Sequence, residues 1–188
     1  MNELYKKAII CAEKLSQGRP GKIQLTMAEW EELEDLIKSP KNLPSPWTLR
    51  AIASLLWQAD LGHHPMSSSI LTLLQFVQNS EDKQVTRFAP FILSASKTHI
   101  LMFHQRQGTR IPFAFIKQLG TILTSKPWDQ ALMAMEILDS IGSQALLISD
   151  TIIACTKLFT FPWQRDKRSL RQLAKNWKNR WKNTNNCK

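Results

Sequence analysis

Proline and glycine cut this chain into short segments whose apolar residues recur at helical spacing, and this pattern most constrains the fold. Thr26 followed by Glu29 is a capping-box pattern, which predicts a helix that continues through Trp30 and stops at Ser39-Pro40. Almost no segment alternates apolar and polar residues with period two, as a half-buried strand would. We therefore predict an all-α fold.

The same start and stop signals divide the chain into about nine helices. An N-terminal helix is expected within residues 1–20, helical hairpins over residues 26–125, and a last part over residues 127–183, with residues 184–188 as a loose tail. Beyond the helix at Thr26, the predicted helices run from Trp47 to about Leu61, from Pro65 through Val77, from Pro90 to Gly108, from Pro112 through Leu123, from Pro127 to Gly142 and from Ala145 to Phe159, followed by a final basic helix.

A repeat is visible in this punctuation. Pro46-Trp47 and Pro127-Trp128 each begin an apolar helix that a glycine closes, Gly62 in the first case and Gly142 in the second. Predicted helix starts recur about every forty residues, which is the period of HEAT or armadillo helix pairs. Two architectures fit this pattern: a right-handed array of helical hairpins, that is a HEAT- or armadillo-like α-solenoid, or an irregular helical bundle. At 188 residues, we expect a single all-α domain over residues 1–188.

The cysteines and the apolar segments indicate a cellular compartment. Cys11, Cys155 and Cys187 are scattered, odd in number and without metal-ligand spacing, which favours a reducing compartment over a disulfide framework or a structural zinc site. The N-terminus is too interrupted for a signal peptide, and no stretch reaches the ~18 consecutive apolar residues of a membrane-spanning helix. We expect a soluble intracellular protein, in the nucleus of a eukaryote and otherwise in the cytoplasm.

Positive charge is concentrated at the C-terminus. The last 25 residues, Gln164 to Lys188, hold nine Lys or Arg against one acid, which is +8 of the formal net charge of +10. Charge gathered on one short segment makes a local field that attracts an anionic partner, whereas evenly spread charge mainly affects solubility. This segment therefore predicts a partner more directly than it predicts a chemistry.

The basic segment has the pattern of a three-faced helix. At about 100° per residue, one stripe is apolar, the next arc is basic and the remainder is neutral and polar, with Arg180 off the basic side. The stripe predicts that the helix packs on a core, and the basic arc is either a binding surface or an ordinary solvated face. The stripe consists of Leu170, Leu173, Ala174, Trp177 and Trp181, and the basic arc, the predicted site for nucleic acid or an acidic partner, consists of Lys167, Arg168, Arg171, Lys175, Lys178 and Lys182.

Two motifs after Pro127 have a counterpart in a known family. Leu173-Ala174-Lys175 is followed by Trp181-Lys182, and a predicted helix before them carries Ala131, Leu132, Met135 and Leu138. With these motifs, residues 127–183 resemble the N-terminal domain of transcription elongation factor TFIIS, also called the LW domain. The resemblance implies a helical docking domain that recognises short disordered segments of transcription or chromatin factors, without catalysis.

Patterns typical of enzymes are missing from the sequence. His63-His64, and His99 with His104, lack the i, i+4 placement that puts two metal ligands on one helical face. We find no glycine-rich phosphate loop, nucleophile elbow or Cys-His pairing, and so predict no catalytic residue, no metal site and no cofactor. One enzymatic alternative is a helical-repeat DNA glycosylase-type enzyme, because such proteins combine a basic concave surface with several tryptophans and this chain has seven.

Six of the tryptophans lie at apolar positions of predicted helices, where we expect a core or inter-helix role, and Trp163 is the exception. Trp163 lies in a predicted loop just before the basic helix, where it would contact a ligand or anchor that helix. We expect a non-catalytic scaffold or protein-interaction module whose basic helix meets a protein with an acidic or disordered segment. The alternative is a sequence-nonspecific DNA- or RNA-binding protein in which the basic arc contacts phosphates. Binding to a membrane is not expected, because the apolar stripe is committed to the core.

Overall fold

The structure, a computed structural model, describes residues 3–40, 45–60, 66–125 and 127–181. Its regular elements in these ranges are helices, so the predicted all-α class is confirmed. The chain divides into two compact units, Met1–Thr109 (unit 1) and Arg110–Lys188 (unit 2). A solenoid-like array of hairpins stays a prediction.

Unit 1 is built from helices of four to fourteen residues. Its third helix ends at Gln58, because Ala59 is already extended, and the predicted helix signals Gly62 and Pro65 lie outside the described residues. The helices are α1 (Glu3–Ser16), α2 (Met27–Lys38), α3 (Pro46–Gln58), α4 (Ser67–Asn79), α5 (Lys83–Thr86), α6 (Ala89–Ser96) and α7 (Phe103–Gln107), and a π-helical segment (Lys97–Met102) joins α6 to α7.

Local sequence signals account for several helix ends in unit 1. The Glu29 backbone N–H donates to Thr26 Oγ1 at 3.3 Å and the Thr26 N–H donates to Glu29 Oε2 at 2.8 Å, so the predicted capping box is confirmed. Glu29 also pairs with Lys7 of α1 at 2.6 Å, which ties the start of α2 to α1. Gly108 ends α7 with a φ of 64°, as expected for a closing glycine.

Helices α3, α4 and α6 carry the core of unit 1. α3 packs on α1 and α6, while α4 packs on α2 and α6. Burial of each inward aliphatic side chain contributes about 1.5–3 kcal/mol, so this layer supplies much of the stability of the unit. The fully buried residues of this layer include Leu55, Leu56, Ile70, Leu73, Leu74, Ile92 and Leu93.

The tryptophans of unit 1 differ in their burial. Trp30 is buried, where its ring meets the edge of His99. Trp47 is 46% exposed and so lies outside the core, but its ring is 6.0 Å from that of Tyr5 in α1, which is an inter-helix contact. It lies in the first turn of α3, where the helix end leaves the ring half in solvent beside Tyr5. Trp57 lies at the surface and donates its indole N–H to Ser94 Oγ at 3.1 Å.

In unit 2 the helices form a closed cycle of contacts. α8 (Phe113–Leu123) packs on α9 (Trp128–Ile141), α9 on α11 (Arg165–Trp181), α11 on α10 (Ser149–Thr156), and α10 again on α8. A four-helix bundle and two stacked helical hairpins both give this cycle of contacts. A 3-10 helix, Gly142–Ile148, connects α9 to α10.

One predicted helix of unit 2 is partly wrong. The segment from Ala145 to Phe159 is a 3-10 helix through Ile148, then an α-helix that ends at Thr156, three residues before the predicted end. Ile148 lies against Gly120 of α8, where a Cβ would come within 3.2 Å of Ile148 Cδ1, and this contact holds the segment close to α8. Over so few residues, apolar spacing does not distinguish 3.0 from 3.6 residues per turn.

Trp128–Thr156 is the one stretch of the described ranges that is long and apolar enough to cross a membrane, and an 18-residue window within it has a mean hydropathy of 1.4. Length and composition alone also select core segments of soluble proteins. Here the stretch is divided at Gly142 into α9, the 3-10 helix and α10, which pack against other helices of unit 2. This arrangement is consistent with a soluble protein.

Candidate functional site

The basic helix α11 is docked by the apolar stripe that the sequence predicts. Leu170, Ala174 and Trp177 are buried, and Leu173 and Trp181 are half-buried. The indole ring of Trp181 lies 3.6 Å from the position that a Cβ would occupy on Gly142 of the facing segment. Because α11 packs on both α9 and α10, its charged side chains have a fixed direction.

Two residues of the predicted basic arc hold α11 in place. The Lys167 ammonium lies 4.8 Å from the ring centroid of Trp128, a cation–π contact to the first residue of α9. The Arg171 Nε donates a hydrogen bond of 3.1 Å to the carbonyl oxygen of Thr156, in the last turn of α10. Both cations therefore help to dock α11 on its neighbours, besides contributing to its positive charge.

Arg180 pairs with Asp139 of α9. Its position off the basic side of the helix places it next to α9, where this carboxylate neutralises it. The Arg180–Asp139 ion pair thus joins the C-terminal half of α11 to α9, and Arg180 is not part of the outward basic arc.

Three cations of the basic arc make no contact of this kind to a neighbouring helix in the described ranges. Among the residues that the structure describes, the side chains of Arg168, Lys175 and Lys178 have no ion pair or hydrogen bond. Arg168 and Lys175 are exposed and Lys178 is half-buried. At 1.5 Å per residue they span about 15 Å along one side of α11, while Asp166 lies on the opposite side. We call these three residues the cationic face; Lys182 of the predicted arc lies outside the described residues.

A stack of exposed aromatic side chains precedes this face. The rings of Phe161 and Trp163 are stacked, with centroids 4.8 Å apart and planes 5° apart, and Phe159 meets Phe161 edge-on at 4.9 Å. Trp163 is 75% exposed, Phe159 70% and Phe161 42%. We call these three residues the aromatic stack. Trp163 thus has the exposed position that its place in a loop predicts, but with two further rings beside it.

A tight turn connects the aromatic stack to α11. The Gln164 N–H donates to the Phe161 carbonyl at 3.1 Å, and the Phe161 N–H donates to Gln164 Oε1 at 3.2 Å. Pro162 occupies the second position of this turn, where its fixed φ is favourable. The Gln164 carbonyl then accepts the N–H of Arg168 at 3.0 Å, so the turn leads directly into the helix.

Phe159 and Phe161 are site residues that the sequence pattern did not predict. Phe159 was expected at the end of a helix, whereas α10 ends at Thr156. The available signal was the recurrence of an aromatic residue at every second position, Phe159, Phe161 and Trp163, between α10 and α11. The turn from Phe161 to Gln164 then brings the rings of Phe161 and Trp163 together.

Other reactive side chains of the described residues have structural contacts. Burial raises the pKa of the Cys11 and Cys155 thiols, which keeps both protonated at neutral pH. His104 Nε2 lies 3.0 Å from Ser67 Oγ, and His104 Nδ1 lies 2.7 Å from Thr109 Oγ1. The group at His104 Nδ1 is therefore the neutral hydroxyl of Thr109. In serine hydrolases an aspartate carboxylate at this place stabilises the imidazolium by its negative charge, which a hydroxyl lacks.

No group of three or more His, Cys, Asp or Glu side chains in the described ranges is placed to hold a metal ion. Comparisons of the chain with protein-family models, with curated proteins and with solved structures give no match. The resemblance to the TFIIS N-terminal domain stays a prediction. The cationic face and the aromatic stack of unit 2 are therefore the features that indicate a function.

Proposed function

We propose that this protein is a non-catalytic binding module that docks a polyanionic partner on the cationic face of α11. The observation that carries the proposal is the placement of Arg168, Lys175 and Lys178 on one side of a docked helix, without an acidic partner among the described residues. Cations in this arrangement add little to folding, because even paired surface charges contribute about 0–1 kcal/mol. They do attract anions and increase the rate of association.

The first candidate partner is a protein with an acidic or disordered segment. Docking fixes the direction of the charge, so an extended acidic chain could lie along α11 and contact all three cations. The resemblance to the TFIIS N-terminal domain supports a role in a transcription- or chromatin-associated complex. Such a role implies an intracellular protein, in the nucleus of a eukaryote or otherwise in the cytoplasm.

The second candidate partner is nucleic acid, bound without sequence specificity. The aromatic stack favours it, because exposed rings next to a basic surface are the combination used by proteins that bind single strands. In this case the cationic face contacts phosphates, and affinity falls steeply with salt.

Charge reversal tests the proposal for either partner. We expect the triple variant Arg168→Glu, Lys175→Glu, Lys178→Glu to bind a fluorescent polyglutamate peptide or a mixed-sequence oligonucleotide at least about tenfold more weakly than the wild type. The matched control is Lys83→Glu, Lys97→Glu, Lys117→Glu, which makes the same change in net charge at exposed positions elsewhere and should bind as the wild type does. The proposal fails if the wild-type protein binds neither probe at about 50 mM salt, or if both variants lose binding equally.

A further inference from the structure

We propose that the outer face of Trp163 is a stacking site for an unpaired base, and that this protein binds single-stranded nucleic acid with its phosphates along the cationic face. The inference rests on the proposed function, which supplies the polyanion site, and it names the class of partner. Its basis is the geometry of the aromatic stack and the continuity of that stack with α11.

The aromatic stack is open at one end. Phe161 is covered on one side by the ring of Trp163, and the ring of Phe159 lies perpendicular to it with the centroids 4.9 Å apart. Trp163 has one ring face against Phe161, while most of its remaining surface is exposed. A further flat ring placed on Trp163 would continue the stack at the same spacing. A nucleobase is such a ring, and stacking between bases and aromatic side chains tolerates any base sequence.

Charge complementarity selects the partner that supplies the ring. Arg168 lies five residues after Trp163 and belongs to the first turns of α11, and Lys175 and Lys178 continue the positive charge on the same side. A strand whose base stacks on Trp163 would therefore pass its backbone along a surface without a neutralising acid among the described residues. An acidic peptide offers the negative charge but not a regular series of flat rings.

The site discriminates against duplex nucleic acid. In a double helix the faces of the bases are stacked on one another, and only their edges are accessible in the grooves. A tryptophan face can pair only with a base that has left the helix, so single strands are the form that uses the aromatic stack and the cationic face together.

Fluorescence anisotropy with the full chain tests this inference. The probes are a labelled single-stranded oligonucleotide of twelve mixed bases, an abasic oligonucleotide of the same length, a duplex of the same sequence, and a polyglutamate peptide. The abasic probe has the phosphates without the bases, so it isolates the contribution of stacking. The variant is Trp163→Ala, and its matched control is Phe113→Ala, which removes another aromatic residue of unit 2 that is 55% exposed.

We expect Trp163→Ala to weaken binding of the base-bearing single strand about 5- to 160-fold, the range that stacking of one base gives on alanine substitution. It should change binding of the abasic strand less than about twofold, and Phe113→Ala should change neither. With three phosphate contacts, log affinity should fall with log salt at a slope of about −2, or roughly 20-fold between 50 and 200 mM. The duplex should bind more weakly than the single strand at both salt concentrations.

Four outcomes would overturn the inference. If the base-bearing and abasic strands bind equally, or if Trp163→Ala weakens both alike, stacking plays no part, although the proposed polyanion site stands. If the wild-type protein binds polyglutamate but no oligonucleotide, the partner is an acidic protein segment. If no polyanion binds at about 50 mM salt, the proposed function and this inference are both wrong.

Discussion

The Nε of Arg171 donates a hydrogen bond of 3.1 Å to the backbone carbonyl oxygen of Thr156, which joins the middle of α11 to the end of α10. This carbonyl belongs to the last turn of α10, where carbonyl groups have no partner within the helix. We expect Arg171→Ala to lower the free energy of unfolding by about 1–2 kcal/mol, because a charge-assisted hydrogen bond is lost at a partly buried position. Urea denaturation measures this difference.

The control for this prediction is Arg168→Ala on the same helix. Arg168 is exposed and without a side-chain contact in the described ranges, so its loss should change stability by less than about 0.5 kcal/mol. An equal effect of both substitutions would show that Arg171 does not anchor α11.

Gly142 has a backbone conformation that only glycine tolerates, with φ 70° and ψ −129°. We expect Gly142→Ala to destabilise the protein by about 1–3 kcal/mol, because an L-residue is strained in this region. The strain is in the backbone, since a Cβ would lie at an ordinary distance of 3.6 Å from the Trp181 ring. Thermal unfolding monitored by circular dichroism provides the measurement.

Gly21→Ala is the matched control, because Gly21 has no positive φ and its added Cβ would come no closer than 3.9 Å to Lys14 Nζ. It should leave the midpoint of thermal unfolding unchanged or raise it slightly. Equal midpoints for the two variants would contradict the assigned conformation of Gly142.

Trp177 and Trp163 should contribute very different amounts to stability, because one is buried and the other exposed. Trp177 is fully buried, so we expect Trp177→Ala to cost about 3–5 kcal/mol, whereas Trp163→Ala should cost less than about 1 kcal/mol. The Trp177 indole N–H has no acceptor in the described part of the chain, so Trp177→Phe removes a buried unpaired donor and should cost much less than the alanine variant. Urea unfolding of the three variants tests this order, and a Trp163 effect as large as that of Trp177 would contradict it.

We expect the stability of unit 1 to depend on pH through His99. Burial lowers the pKa of His99 below its ordinary value of 6.5, although the hydrogen bond from its Nε2–H to the Leu56 carbonyl opposes this shift. The unfolded chain therefore binds more protons than the folded chain below pH 6.5. We expect full stability above pH 6.5 and a decline as the pH falls towards about 5.5, where carboxylates are still mostly ionised.

Urea titrations at about pH 7.5, 6.5 and 5.5 measure this decline. His99→Gln should be less stable than the wild type at neutral pH but should show a flatter pH dependence. Burial also lowers the pKa of His104, which is more exposed, so His104→Gln should retain most of the slope. An unchanged slope in His99→Gln would assign the pH dependence to other groups.

Local signals in the sequence predicted much of the fold. The capping box of Thr26 and Glu29 and the closing role of Gly108 depend on residues a few positions apart, so their geometry follows from sequence alone. The apolar stripe of α11 was predicted for the same reason, since its period reports the buried face.

Contacts between distant residues could not be predicted in this way. The engagement of Lys167 by Trp128 and of Arg171 by Thr156 depends on how α11 lies on α9 and α10, which no periodicity specifies. The six-residue arc of the sequence analysis therefore contains two anchors and three unpaired cations, with Lys182 beyond the described residues. Nothing in the residue types themselves distinguishes these roles.

The turn from Phe161 to Gln164 also affects the entropy of association. Ordering a flexible side chain on binding costs about 0.5–1.5 kcal/mol, and this cost is subtracted from affinity. The rings of Phe161 and Trp163 are held against each other, on a turn closed by two hydrogen bonds and containing Pro162. Most of their conformational freedom is therefore lost during folding, so a partner that meets them gains contact area at little further entropic cost.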